Sequence, residues 1–245
     1  MTFIDIHSHL EMCQDEIIDN AKKANVKIIL TCGIDIKTNR KALELSKKFQ
    51  EVKACLGIYP TDSLNLTDKE LNEEINFIKQ NKNKIIGIGE VGLDQKEKDQ
   101  STLEKQKKTF QKFINLAREL NIPIVIHSRK AEAEAIELLE KSEYKKIIMH
   151  CFNGNLKLVK KIIENGWFLS IPTNVKHAEH FQKVIELTPI EQLFCETDSP
   201  FLHPDKKFPN EPANVVESYK KIAEIKKLSL KEVEKKIEEN FKRLF

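Results

Sequence analysis

The stretch "FIDIHSHLE", Phe3 to Glu11, sets two histidines two residues apart at the end of the first β-branched run of the chain. Side chains of a strand alternate with period 2, so Asp5, His7 and His9 project to one face while Ile4, Ile6 and Ser8 project to the other. An isolated histidine in a strand is ordinarily a core residue bonded to a backbone carbonyl, since His is of intermediate burial. Two neutral imidazoles converging at a strand end suit a divalent metal ion. What the other strands bring to the same place decides between the two.

Seven further strand-like runs follow: Val26 to Gly33, Val52 to Ile58, Lys84 to Glu90, Ile122 to His127, Lys145 to His150, Trp167 to Ile171 and Gln192 to Asp198. Amphipathic helical windows separate them, and capping boxes at Thr67 to Glu70, Ser101 to Glu104 and Ser229 to Glu232 mark three helix starts. No low-complexity stretch or Pro/Gly/Ser linker divides the chain. The alternation predicts an α/β fold, a TIM-like (β/α)8 barrel formed as a single domain over residues 1–245. A doubly wound open sheet is the alternative, but the Gly-rich phosphate loop it uses is absent after the first run, where the sequence reads "HSHLEM".

Composition narrows the function classes. Charged residues make up 32% and hydrophobic ones 40%, and no apolar run approaches the ~20 residues needed to span a bilayer. The start "MTFIDIH" has no basic segment leading into an apolar one, so no signal peptide is expected and a cytoplasmic location follows. Cys13, Cys32, Cys55, Cys151 and Cys195 are odd in number and form no C-x-x-C pair, which argues for reduced thiols over a disulfide framework or a zinc ribbon. The net charge is +3, with lysines interleaved with acids along helical windows such as "KKIAEIKKLSLKEVEKKIEEN". That is the solvated face of ordinary helices, and charge alone names no partner.

A barrel places its functional groups at the carboxyl ends of its strands. His7 and His9 end the first run, Glu90 the fourth, His127 the fifth, His150 the sixth and Asp198 the eighth. Each polar group interrupts an apolar strand, where burial without a partner is costly. Four imidazoles and two carboxylates are too many donors for one tetrahedral zinc and suit two divalent ions that share a bridging group. Glu90, with two oxygens, is the natural bridge. Two divalent cations less the charges of Glu90 and Asp198 leave a positive site that attracts a phosphodiester anion. His/carboxylate sets of this kind accept Mg, Mn, Zn or Ni.

Together "DIHSHL", "GEVGLD", "IPIVIHSR", "HCFNG", "ETDSPFL", "NEP" at Asn210 to Pro212 and the terminal "ENFKRLF" resemble the TatD family of metal-dependent deoxyribonucleases, within the amidohydrolase superfamily. The resemblance spans the whole chain, with the motifs in family order. It implies a TIM-like barrel, a binuclear divalent metal site and nuclease activity on DNA, often as a 3′ to 5′ exonuclease favouring single strands. Carried over motif by motif, it implies that His7, His9, Glu90 and Asp198 hold one metal and that Glu90, His127 and His150 hold the other. Many superfamily relatives bridge their metals with a carboxylated lysine where this chain has Glu90. Three segments depart from the family pattern: "LGIYP" has Tyr59 where His is frequent, "GLDQKEKDQ" lacks an aromatic residue after GLD, and "HPDKKFP" lacks Arg-Gly-Lys before "NEP".

Asp198 is a candidate to carry the proton of the attacking water as well as a plain ligand. Arg129 is placed to hold a phosphate through its fork of donors, or simply to start the helix after the fifth strand. Asn210 and Glu211 are candidates for substrate binding and for ordering the last loop. Asp5 and Glu196 share faces with the ligands and are candidates to orient imidazoles. Phe152 and Phe201 flank ligand-bearing turns and are candidates to stack on bases. His177 and His180 are expected to be exposed, and His203 to lie in the last loop. Two other functions compete: an ester or amide hydrolase, such as a D-aminoacyl-tRNA deacylase using the same binuclear site, and a non-catalytic nucleic-acid or metal-binding barrel. The expected partner is DNA at a single-stranded end, with no membrane; the sequence assigns no oligomeric state.

Overall fold

Eight strands lie in one parallel sheet in sequence order: β1 (Phe3–Ser8), β2 (Val26–Cys32), β3 (Val52–Leu56), β4 (Ile85–Asp94), β5 (Ile124–Arg129), β6 (Ile147–Met149), β7 (Phe168–Pro172) and β8 (Leu193–Glu196). The structure is a computed structural model and describes residues 2–96 and 100–245. Helices α1 (Glu16–Lys23), α2 (Ile36–Lys48), α3 (Asp68–Gln80), α4 (Leu103–Leu120), α5 (Glu132–Ser142), α6 (Leu156–Glu164) and α7 (Glu179–Leu187) alternate with the strands. Two more, α8 (Val216–Lys226) and α9 (Leu230–Leu244), follow the last. The fold is the expected (β/α)8 barrel, nearly closed, with the Ile, Leu and Val side chains of the strands buried in its core.

Strand ends differ from the sequence reading where backbone conformation or pairing intervenes. β6 and β8 stop short, and His150 and Asp198 lie just beyond them. Cys151 and Asp198 adopt left-handed φ values of 41° and 54°, which end an extended run. β4 continues past Glu90 because Val91 to Asp94 pair with Ile126 to Arg129 of β5. Between Ile88↔Ile124 and Val91↔Ile126 the register slips, so β4 carries an extra residue at Gly89–Glu90, a bulge of the kind that re-aims a side chain. Glycine is required on both sides of Glu90. A Cβ on Gly89 (φ 153°) would stand 2.8 Å from that of Val125, and one on Gly92 (φ 147°) would stand 1.9 Å from the His127 carbonyl oxygen.

The boxes at Thr67/Glu70 and Ser229/Glu232 are present, and a third, Asp35 with Thr38, starts α2. The Ser101 to Glu104 box does not form. α4 begins at Leu103 after a short 3-10 turn, and its N-cap Thr102 is helical (φ −81°, ψ −17°), not the extended conformation from which a side chain caps.

Side-chain bonds and two backbone bonds beyond the strand ends join β8 to β1, the barrel's one joint without a strand ladder among the described residues. Thr197 donates its N–H and hydroxyl to the two oxygens of Asp5 at 2.8 and 2.6 Å, and Asp198 N–H donates to His7 O at 3.0 Å. The Tyr219 hydroxyl, from α8, accepts from Ile4 N–H at 3.0 Å and donates to Ile4 O at 3.2 Å. One side chain thus satisfies the backbone groups that a neighbouring strand would otherwise pair. Tyr219→Phe, which removes only that oxygen, is expected to lower stability by about 1–3 kcal/mol through the orphaned Ile4 groups. A urea midpoint equal to wild type would show that the seam does not need the hydroxyl.

Candidate functional site

The carboxyl ends of β1, β4 and β5 and the turns after β6 and β8 converge on Glu90, whose relative exposure is 2%. Its Oε2 lies 3.5 Å from His7 Nε2 and 3.2 Å from His9 Nε2. Those nitrogens stand 3.2 Å apart, and 3.3 and 3.4 Å from Asp198 Oδ1. Two donors each about 2.0 Å from one zinc ion in tetrahedral geometry stand about 3.3 Å apart, the spacing these pairs have. Glu90 turns its other oxygen, Oε1, toward His127 Nδ1 at 2.8 Å and His150 Nε2 at 3.5 Å. Among the described residues, His7, His9 and Asp198, and His7, Glu90 and His150, each gather their donor atoms within 4.8 Å. His127 joins this set through Glu90 rather than as a member of either triplet. These donors, nitrogen and carboxylate oxygen in a buried cluster, fit divalent metal ions.

Three of the four imidazoles are anchored by the nitrogen facing away from the cluster. His9 Nδ1 lies 3.0 Å from Cys32 O, which can only accept, so this nitrogen carries a proton and Nε2 is the nitrogen turned to the cluster. Glu11 Oε1 supports the same nitrogen at 3.2 Å. His150 Nδ1 meets Glu196 Oε2 at 3.0 Å, and Glu196 is held in turn by Ser170 Oγ at 2.5 Å and Cys151 N–H at 2.9 Å. His127 Nε2 faces Asp94 Oδ2 at 2.9 Å and the Tyr59 hydroxyl at 3.0 Å, and that hydroxyl donates to Asp94 at 2.8 Å. The exception is His7, whose buried Nδ1 has no hydrogen-bond partner among the described residues and whose ring stacks on His150 at 3.8 Å. Anchoring of this kind fixes tautomer and ring orientation.

Electrostatics follow the same map. Burial opposes charge on Glu90, but His150, His127 and His9 outweigh it and hold the carboxyl well below the usual range. Asp198 is likewise held low against its burial, by His7 and His9. Burial depresses His150, yet Glu196 and Glu90 carry it up to about 9, whereas His7 is lowered by burial and by the stacked His150.

Arg129 ends β5 and is exposed on the wall of a cavity of about 870 Å³ over Glu90, beside Lys130, Met12 and Phe201. Asn210 and Glu211 lie outside it. Asn210 is buried, donates to Thr173 Oγ1 and Thr197 O, and accepts from Asn214; Glu211 accepts from Asn20 of α1. Their contacts order the last loop. Glu196 orients an imidazole as expected, while Asp5 spends its oxygens on Thr197 and the β8–β1 seam. Phe152, 1% exposed, is closed to a base, and Phe201, 46% exposed, is open. His177 is exposed, but His180 is half-buried and bonds to Phe152 O. Asp94, Tyr59 and Glu11 escaped the sequence reading as supports. Asp94 alone had a signal, since it shares the alternation of β4 with Glu90. The missing aromatic after GLD falls partly on residues 97–99, outside the described residues.

The family model described as TatD related DNase matches residues 4–245. An uncharacterized metal-dependent hydrolase of Methanocaldococcus jannaschii is 37% identical over 99% of this chain and 96% of its own length. The deoxyribonuclease TATDN3 of Homo sapiens is 32% identical over 99% of this chain and 94% of its own. A solved structure, the TatD homologue YJJV of Escherichia coli K12, superposes with a TM-score of 0.92 at 22% identity, covering 99% of this chain and 97% of that one; it shares the fold.

Glu90→Gln is expected to reduce bound divalent metal measured by elemental analysis, whereas Arg129→Ala leaves metal content at the wild-type level. Glu196→Gln, which loosens His150, is expected to weaken metal affinity by about 10–100-fold. Unchanged metal content in Glu90→Gln would remove that residue from the centre of the site.

Proposed function

We propose that this chain, which belongs to the TatD related DNase family of metal-dependent hydrolases, cleaves phosphodiester bonds in DNA from single-stranded ends, as a 3′–5′ exonuclease. The observation that carries the reading is the two-sided use of Glu90, one oxygen toward His7 and His9 and the other toward His127 and His150. This supports His7, His9, Glu90 and Asp198 as the ligands of one ion and Glu90, His127 and His150 as those of a second, with Mg, Mn, Zn or Ni as occupants. All of residues 1–245 serve as one hydrolase domain.

A divalent ion pair, when bound, lowers the pKa of a water and polarises a phosphoryl oxygen. The chain's own residues do the rest. Asp198, ionised and still 14% exposed to the cavity, can take a proton from the attacking water and return it to the leaving oxygen. Arg129 holds a phosphate from the β5 side. Tyr59 with Asp94, and Glu196, keep His127 and His150 turned toward Glu90. The apolar rim of Met12, Ile34, Leu158 and Phe201 limits water around the reacting phosphate. A cavity of about 870 Å³ is of the size that encloses a small ligand, and so suits a strand end better than a duplex. Five free cysteines suit a reducing compartment, the cytoplasm, and no helix among the described residues is long and apolar enough to cross a membrane.

Chelation by EDTA is expected to abolish activity, and added divalent metal to restore it. With metal supplied, a linear single strand is expected to shorten stepwise while a circular one of the same sequence stays intact. Equal cleavage of the circle would show an endonuclease. Inertness toward both beside rapid deacylation of D-aminoacyl-tRNA would move the function to that ester.

A further inference from the structure

A second cavity, of about 340 Å³, opens beside the first, between the turn after β7 and the loop 198–211 after β8. Leu202 lines both and forms the wall between them, its backbone in the left-handed region at φ 55°. Beyond that wall the same loop supplies His203, Lys206 and Lys207, and His177 lines the cavity from the β7 side. Lys206 and Lys207 are exposed, and neither lies within ion-pair distance of a carboxylate among the described residues. Their neighbour Lys176, by contrast, is matched by Asp205 at 2.6 Å. Two aromatic rings bracket the lysines in sequence. Phe201, at the rim of the first cavity, is 46% exposed, and Phe208 is 73% exposed, the most open large apolar side chain among the described residues.

The hydrolysis step uses Asp198 and Phe201 at the start of this loop and leaves His203, Lys206, Lys207 and Phe208 without a role. A surface that recognised only an acidic protein would need the lysines and not the open rings, whereas phosphates alternating with bases need both. Unmatched cations interleaved with exposed aromatic faces are the composition of single-strand nucleic-acid grooves. The direction also fits: Arg129 and Lys130 stand on the β5 wall of the first cavity, Glu90 and Asp198 at its floor, and the paired lysines past Leu202 on the far side. We infer that the loop from Phe201 to Phe208 is a track for the nucleic-acid strand beyond the scissile phosphate, with Lys206 and Lys207 on backbone phosphates and the two rings against bases. This rests on the nuclease reading and adds the path of the strand to it.

The test is binding of a labelled phosphorothioate oligo-dT of about 12 nucleotides, within the span of single-strand grooves, to the Mn²⁺-supplied full chain, followed by anisotropy over a salt series. Each phosphate contact on a single strand contributes about 0.7 to the slope of log affinity against log salt. The double variant Lys206→Ala/Lys207→Ala is therefore expected to lose about 1.4 from the slope and about tenfold in affinity at low salt. Lys206→Arg/Lys207→Arg keeps the wild-type slope. Phe208→Ala keeps the slope and loses about tenfold in affinity, because stacking is insensitive to salt. Lys231→Ala/Lys235→Ala on α9, outside both cavities, makes the same change in net charge and is expected to bind as wild type. If the Lys206/Lys207 alanine variant binds as wild type, or if the α9 variant loses as much, the track is overturned. The expected slopes with no cleavage of ordinary DNA by the metal-supplied wild type would overturn the nuclease reading and leave the track in place.

Discussion

Glu90 keeps a full negative charge at 2% relative exposure, where a lone buried charge costs several kcal/mol. The surrounding architecture answers that cost. Four imidazoles from three strand ends, those of β1, β5 and β6, approach its two oxygens, and each must be held against its own tendency to turn away or repel its neighbours. The bulge in β4 aims the carboxylate, glycines at 89 and 92 let β5 close against it, and the turns after β6 and β8 bring in His150 and Asp198. Remove the charge and these devices lose their common purpose.

Beyond the cluster, supports run outward along defined hydrogen bonds. Cys32 O and Glu11 hold His9, Glu196 with Ser170 holds His150, and Asp94 with Tyr59 holds His127. His7 alone relies on packing, between Glu90, Asp198 and the stacked ring of His150. Its lowered pKa has burial as the first cause and the stacked ring of His150, 3.8 Å away, as the second.

The donors at the centre were legible in the sequence because each breaks an apolar run, and a polar group at a strand end is visible in one dimension. Eight such runs separated by helical windows likewise made the barrel legible. The supports were harder to see for the opposite reason. Glu11 and Tyr59 sit in segments with no periodicity to place them, and Tyr59 meets Asp94 and His127 from far away in sequence. Glu196 was legible by alternation along β8, but the same rule misled for Asp5, whose side chain turns to the seam with Thr197. Asn210 illustrates a third case: a polar residue in a loop motif reads equally as a loop-ordering or a substrate-binding group, and only the fold shows its side-chain amide engaged by Thr173, Thr197, Glu211 and Asn214.

The joint between β8 and β1 closes the ring of strands through Asp5 with Thr197, the Tyr219 hydroxyl and two backbone bonds past the strand ends, Asp198 N–H to His7 O and His9 N–H to Ser199 O. On the proposed ligand set, His7 and His9 belong to one lip of that joint and Asp198 to the other, so an ion shared among them is a rivet through the ring's closing point. A ligand that binds only the closed form stabilises it by mass action, by about 4 kcal/mol at a thousandfold excess over its dissociation constant. Metal supply and the lifetime of the fold thereby become one variable: a chain starved of ions is also the chain whose first and last strands part most readily, and so the first to meet a protease.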